Sequence, residues 1–193
     1  EDLVVDLNPE TVVLIYHKPT GQVCSNVPTD KNDSVFQGLP ARKKGKWIMV
    51  CRLDVNTSGL LIFSNDGNLV NFLAHPSSNI DREYLCRVYG DVSDKKIENL
   101  LKGVKLSNEL AKFSDIVAVK KTSKSKNHWF YVCLFSGKNR EVRKLWKTQK
   151  LEVNRLIRLR FGPIMLPDNL KPGGWKKFSK KEVSKLKNIL EIN

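Results

Sequence analysis

The sequence predicts an α+β protein with a mixed, largely antiparallel sheet flanked by helices. Short apolar runs bounded by turn residues outnumber helical patterns, and they do not alternate with helices in a βαβ rhythm. The helical patterns that do occur carry their own start and stop signals. Residues 12–16 (Val-Val-Leu-Ile-Tyr) read as a first strand, stopped by Lys18-Pro19-Thr20-Gly21, where proline fixes one torsion and glycine frees another. Residues 25–46 are loop-rich and end in the basic stretch Arg42-Lys43-Lys44-Gly45-Lys46. Residues 47–51 form the next strand, and the turn Asn56-Thr57-Ser58-Gly59 leads into a buried strand at 60–63. Asn65-Asp66-Gly67-Asn68 caps a helix over 69–74, which His75-Pro76 stops.

The second half continues in the same style. Residues 82–89 are a strand. Ser93 caps a helix with Asp94 in its first turn and Ile97, Leu100 and Leu101 on one face, closed by Gly103. Strands at 116–119 and 128–135 flank a polar, lysine-bearing hairpin at 120–127. Residues 139–150 form a basic helix, 155–161 a strand alternating arginine with apolar residues, Gly173-Gly174 a break, and 179–190 an amphipathic helix. The opening residues 1–10 alternate acidic and apolar side chains and read as an interdomain linker remnant, leaving 11–193 as one folded unit.

Composition narrows the function. The 193 residues carry 34 Lys and Arg against 20 Asp and Glu, a net charge of +14. Such an excess favours a polyanionic partner, because clustered cations on phosphates release counterions. The charge is uneven: residues 138–193 hold 16 Lys and Arg against five acids, a net +11. No apolar run approaches the roughly 18 residues of a membrane span. Cys24, Cys51, Cys86 and Cys133 are far apart and read as buried free thiols, which points to the cytoplasm. His17, His75 and His128 are scattered as well, with no zinc spacing, so no metal site and no zinc-deaminase chemistry is expected. Gly38 to Lys46 only superficially suggests a phosphate loop: its glycines are two residues too far apart, and Trp47 stands where a hydroxyl is needed.

Two segments could carry chemistry. In Arg52-Leu53-Asp54-Val55-Asn56-Thr57-Ser58-Gly59, a carboxylate follows a strand and precedes a hydroxyl-rich tight turn. An aspartate capping its own turn is the alternative reading. In Gly137-Lys138-Asn139-Arg140-Glu141-Val142-Arg143-Lys144-Leu145-Trp146, helical spacing puts Val142, Leu145 and Trp146 on one face and Arg140, Lys144 and Lys147 on another. That basic face is either solvated or phosphate-binding, and the neighbouring Arg155, Arg158 and Arg160 favour phosphate.

Taken together and in order, these motifs resemble one family. The string R-L-D-x-x-T-S-G-L-L-x-F-x-N-D-G begins at Arg52, and Arg82-Glu83-Tyr84 and Asn139 to Arg143 follow it. This series is similar to the ribosomal pseudouridine synthases of one group, the A type of the small ribosomal subunit with the B, E and F types of the large one. Lys18-Pro19-x-Gly21 resembles that family's first motif, and Pro172-Gly173-Gly174-Trp175 is most similar to the B-type branch. The resemblance implies the family's catalytic fold of two subdomains, without the N-terminal S4-type RNA-binding domain. It implies isomerisation of uridine to pseudouridine in ribosomal RNA of the large subunit, by a monomer that needs no cofactor. Asp54 would be the essential aspartate, Tyr84 the active-site tyrosine and Arg143 the basic partner of Asp54. Lys18, Arg52, Arg82, Asn139, Arg140, Lys144 and Arg155 would contact RNA. One residue departs from the pattern: Cys51 replaces the usual glycine before R-L-D, which puts the loop of Asp54 at stake if that glycine serves a positive backbone torsion. A rival of another class is an RNA-binding assembly factor that keeps the fold without turnover.

Overall fold

The computed structural model describes residues 9–120 and 124–193. The linker at 1–10 therefore falls largely outside the described residues, as does the middle of the hairpin at 120–127. In chain order the elements are β1 (Val13–Lys18), β2 (Ile48–Met49), β3 (Ser58–Ser64), α1 (Gly67–Ala74), β4 (Arg82–Tyr89), α2 (Asp94–Lys102), β5 (Val104–Leu106), β6 (Glu109–Ala111), β7 (Asp115–Ala118), β8 (Asn127–Leu134), α3 (Glu141–Thr148), β9 (Glu152–Phe161), β10 (Ile164–Met165), β11 (Trp175–Lys177) and α4 (Lys180–Ile189). Short 3-10 turns lie at Val35–Gly38 and Pro76–Ser78.

Nine strands form one mixed sheet in the order β11-β1-β3-β9-β4-β8-β7, with β2 on β3 and β10 on β9; β5 and β6 make a separate ribbon. Every pairing is antiparallel except β3 with β9. That parallel seam is only two residue pairs long, Ser58 with Ile157 and Gly59 with Arg158. It joins a half built on β1 and β3 to a half built on β4, β8 and β9. The local causes are those the residue types supply. Six of the seven residues of β3 are buried, as expected of an apolar run in the sheet's middle. Asp66 caps α1 by accepting from Asn68 N (3.0 Å) and Leu69 N (3.3 Å), and Ser179 and Glu182 form a reciprocal capping box on α4.

The sheet separates two apolar cores. One holds Leu14, Tyr16, Leu61, Phe63, Tyr84, Cys86, Phe130, Val142 and Trp146; the other packs Val13, Ile15, Leu60, Ile62 and Phe161 against α1 and α4. The alternation of β1 and β3 between these cores fixes which side chains face the cleft described below.

Several boundaries differ from the sequence reading. The strand expected at 47–51 is reduced to Ile48–Met49, and α3 begins at Glu141 rather than 139. Gly173 and Gly174 form a turn as expected, but strand β11 follows at once, because Gly174 O accepts from His17 N (2.9 Å) and seats the chain beside β1. Among the described residues no helix is long and apolar enough to cross a membrane.

Candidate active site

Asp54 sits on a four-residue turn closed by Thr57 N donating to Asp54 O at 3.0 Å. The turn immediately precedes β3 and opens into a cleft of about 1600 Å³. Three cations from distant parts of the chain fasten it. Lys18, at the end of β1, is fully buried and its Nζ donates to Thr57 O (2.7 Å), Pro19 O (3.0 Å) and Val55 O (3.2 Å). Burial pushes this ammonium down to about 8, with the charges of Cys24 and Asp54 opposing. Arg143, on α3, donates to Asn56 O (3.1 Å), Thr57 Oγ1 (3.3 Å) and, on β9, Val153 O (3.1 Å). Arg158 is buried and donates to Leu60 O (2.9 Å) and Cys51 O (3.3 Å), tying β9 to both ends of the segment.

The carboxylate of Asp54 is held by Arg140, whose Nη1 lies 3.2 Å from Oδ2 and also 3.5 Å from Asn56 Oδ1. Arg140 occupies the N-cap of α3 in a left-handed conformation (φ 53°), without a side-chain cap. The direct partner of Asp54 in this structure is thus Arg140, where the family resemblance implies Arg143. The reason is that Arg143's two terminal nitrogens are already taken by the carbonyls of Asn56 and Val153 and the Thr57 hydroxyl, one helical turn further along. Arg143 still senses the site: burial, then the charge of Arg140, lowers its pKa, and Asp54 opposes both.

Tyr84 faces the same cleft from β4 and is only 9% exposed. Arg52 is exposed on the cleft lining, as are Asn139 and Arg140. The structure thus gathers Asp54, Tyr84, Arg52, Asn139 and Arg140 around one opening. Lys144 and Arg155 are exposed but lie outside the lining. Two residues expected to bind RNA are placed otherwise. Lys18 has no free face, since it is fully buried and its donors are spent on the carbonyls of Pro19, Val55 and Thr57. Arg82 lines the cleft but is mostly buried, donating to Phe135 O (2.9 Å) and Ile80 O (3.1 Å) and lying over the ring of Phe161 at 4.7 Å. Each is short of solvent because it ends or begins a strand at the edge of an apolar core, where carbonyls are the nearest acceptors.

Cys51 is partly buried, near Arg82 Nη2 (3.9 Å), and is not among the residues with positive φ. The departure from the glycine pattern therefore imposes no left-handed strain. Positive φ falls instead at Gly59 (φ 111°), where a Cβ would lie 2.2 Å from Arg158 O across the parallel seam. Sequence reasoning missed the anchoring roles of Arg158 and Thr57; an arginine in phase with the buried positions of β9 was the available signal. Among the described residues no group of three or more His, Cys, Asp or Glu could hold a metal ion.

Residues 12–147, which carry the Asp54 turn, Tyr84 and the arginine-bearing α3, match the RNA pseudouridylate synthase family, and the chain belongs to that family. It is 44% identical over 180 residues to ribosomal large subunit pseudouridine synthase B of Vibrio cholerae, covering 93% of this chain and 56% of that one. The protein of the same name from Pseudomonas aeruginosa is 46% identical over 171 residues, covering 89% and 44%. The one from Buchnera aphidicola subsp. Acyrthosiphon pisum is 42% identical over 183 residues, covering 95% and 73%. The chain thus spans little more than half of the Vibrio relative and less than half of the Pseudomonas one. Among solved structures, a crystal structure of a pseudouridylate synthase superposes with TM-score 0.75 at 24% identity, over 93% of this chain and 75% of that one. That likeness supports the fold.

Proposed function

We propose that this chain isomerises uridine to pseudouridine in ribosomal RNA of the large subunit, as a cytoplasmic monomer and without a cofactor. The observation that carries the reading is the placement of Asp54: an ionisable carboxylate on a turn fastened by Lys18 and Arg143, paired with Arg140 and opening beside Tyr84. The names of the relatives supply the substrate class.

The reaction needs little more than these groups. The bond from ring nitrogen 1 to the anomeric carbon breaks, the uracil turns, and carbon 5 bonds to the sugar. Carbon 5 loses its proton and nitrogen 1 ends protonated, so no atom is gained or lost. Asp54 attacks the anomeric carbon or removes the 2′ proton; either role requires it ionised, which a cation within hydrogen-bond reach favours. A uridine must leave its stack to reach the cleft, and Tyr84 offers a ring to receive it and a hydroxyl to move the carbon 5 proton. Arg52, Asn139 and Arg140 line the opening and meet the flanking phosphates, with Lys144 and Arg155 farther out.

The test is to incubate the protein with ribosomal RNA lacking pseudouridine and map the product by carbodiimide-dependent reverse-transcription stops. A new stop in large-subunit RNA that disappears with Asp54→Asn is the expected result. Binding without any stop overturns the enzymatic reading.

A further inference from the structure

The +14 charge is not used up by the cleft. Residues 171–187 carry seven lysines and a single acid, Glu182, on β11 and α4, at the sheet edge farthest from β7. Lys176 pairs with Glu182 at 3.3 Å, Lys180 with Glu10 at 3.4 Å and Lys187 with Asp66 at 3.8 Å. Lys171, Lys177, Lys181 and Lys185 are exposed and have no acidic partner among the described residues. Trp175 is 43% exposed on the outer strand. Trp175 lies directly opposite Tyr16 in the β1–β11 register, so both side chains point to the same side of the sheet, and Lys177 points there too. Tyr16 belongs to the core on the cleft side. Gly38 sits against the Tyr16 ring, at the base of the loop whose Leu39, Pro40 and Arg42 line the cleft.

We infer that Trp175 and Lys177 form a second RNA contact, taking an unpaired stretch of the substrate that continues from the cleft across this loop. The inference rests on RNA being the substrate of the cleft. An indole face accepts a stacked base irrespective of sequence, and adjacent ammonium groups follow the phosphates. Lysines on an outer strand oppose the addition of a protein strand, which argues against a β-pairing partner there. They give no reason for a half-exposed tryptophan; base stacking does. Among the tryptophans, Trp47 lines the cleft and Trp146 is fully buried, so each reports a different place.

Protein labelled with 5-fluorotryptophan, its resonances assigned by single Trp→Phe variants, is titrated with an oligoadenylate of about 12 nucleotides, which contains no uridine. The expected result is a saturable shift of the Trp175 resonance. Lys177→Glu should weaken binding roughly threefold and lower the salt slope by about 0.7, the share of one single-strand phosphate that is no longer neutralised. An unchanged Trp146 resonance shows that this variant is folded. A silent Trp175 resonance with an unchanged slope, while Trp47 moves, confines RNA to the cleft and overturns the inference. So does a Trp175 signal that responds to protein concentration and not to RNA, which would make the patch a contact between copies. Pseudouridine mapping on unlabelled wild type is read separately. Product with a silent Trp175 sinks only this second site, and a responding Trp175 without product sinks only the activity.

Discussion

The Arg140 guanidinium lies 3.2 Å from the Asp54 carboxylate, and the two side chains are 43% and 38% exposed. An ion pair this open contributes at most about 1 kcal/mol, because water screens it and two side chains must be held still. Stability is therefore a poor reason for the contact. A better one is that it aims the Asp54 carboxylate until an RNA phosphate competes for Arg140. Arg140→Ala should then shift Tm by less than about 3 °C. It should also lower kcat/KM roughly tenfold and reduce the salt slope of RNA binding by about one phosphate's worth. A slope equal to wild type would place Arg140 off the RNA.

Asp54→Asn keeps the shape of the side chain and removes its charge. Its turn is closed through the main-chain carbonyl of residue 54, so the loop does not depend on the carboxylate. The expected outcome is loss of isomerisation with RNA affinity within about twofold of wild type, read by carbodiimide mapping and filter binding. Residual turnover comparable to wild type would assign the chemistry to another group.

Lys18 gives a prediction of opposite character. Because its three donors go to backbone carbonyls, those of Val55 and Thr57 in the turn and of Pro19, Lys18→Met should leave the salt slope of RNA binding unchanged. It should lower kcat by roughly 10²-fold through misplacement of Asp54. A smaller slope would return Lys18 to the RNA surface. Its ionisation adds a pH signature. The folded chain releases this proton near 8 and the unfolded chain near 10.5, so across that window the native state binds fewer protons. The contribution of Lys18 to stability therefore rises with pH between those values, and is lost as pH falls through 8. Urea midpoints of wild type minus Lys18→Met should increase across the window; a constant difference would show that the amine does not titrate there.

What the sequence discloses of this site follows the range of the interactions. The strand at 60–63 and the cap at Asp66 are local, and the residue pattern alone places them. Asp54 and Tyr84 are legible as motif residues. The fate of Lys18 is not, because its burial depends on carbonyls of residues 55 and 57, brought close only by the β1–β3 pairing. The same holds for β11, whose partner strand lies far earlier in the chain and whose preceding glycines read only as a break. Arg140 and Arg143 are one helical turn apart, so spacing brings both near the site; which one reaches the carboxylate is decided by the distant acceptors, Asn56 O, Thr57 Oγ1 and Val153 O, that already hold Arg143.

Gly59 tests the seam. Its φ of 111° suits glycine, and a methyl group would meet Arg158 O at 2.2 Å. Gly59→Ala should lower Tm by roughly 6–12 °C or prevent folding, since two backbones would have to part where the halves of the sheet join. A Tm within about 2 °C of wild type would show that the seam yields, and would remove it as the support of the Asp54 turn.

Arg143→Lys separates charge from geometry. Lysine keeps the cation but cannot reach Asn56 O and Thr57 Oγ1 from one side and Val153 O from the other, as the planar fork does. If Arg143 acts by its charge on Asp54, the variant retains most of its activity. The contacts predict otherwise. kcat should fall by roughly 10²-fold with little change in RNA affinity, because the turn loses its tie to β9 while Arg140 still neutralises the carboxylate. The double variant with Arg140→Ala should lose activity by about the product of the single losses, since one residue positions the turn and the other pairs the charge. A double variant no worse than Arg143→Lys alone would show that both arginines serve a single function.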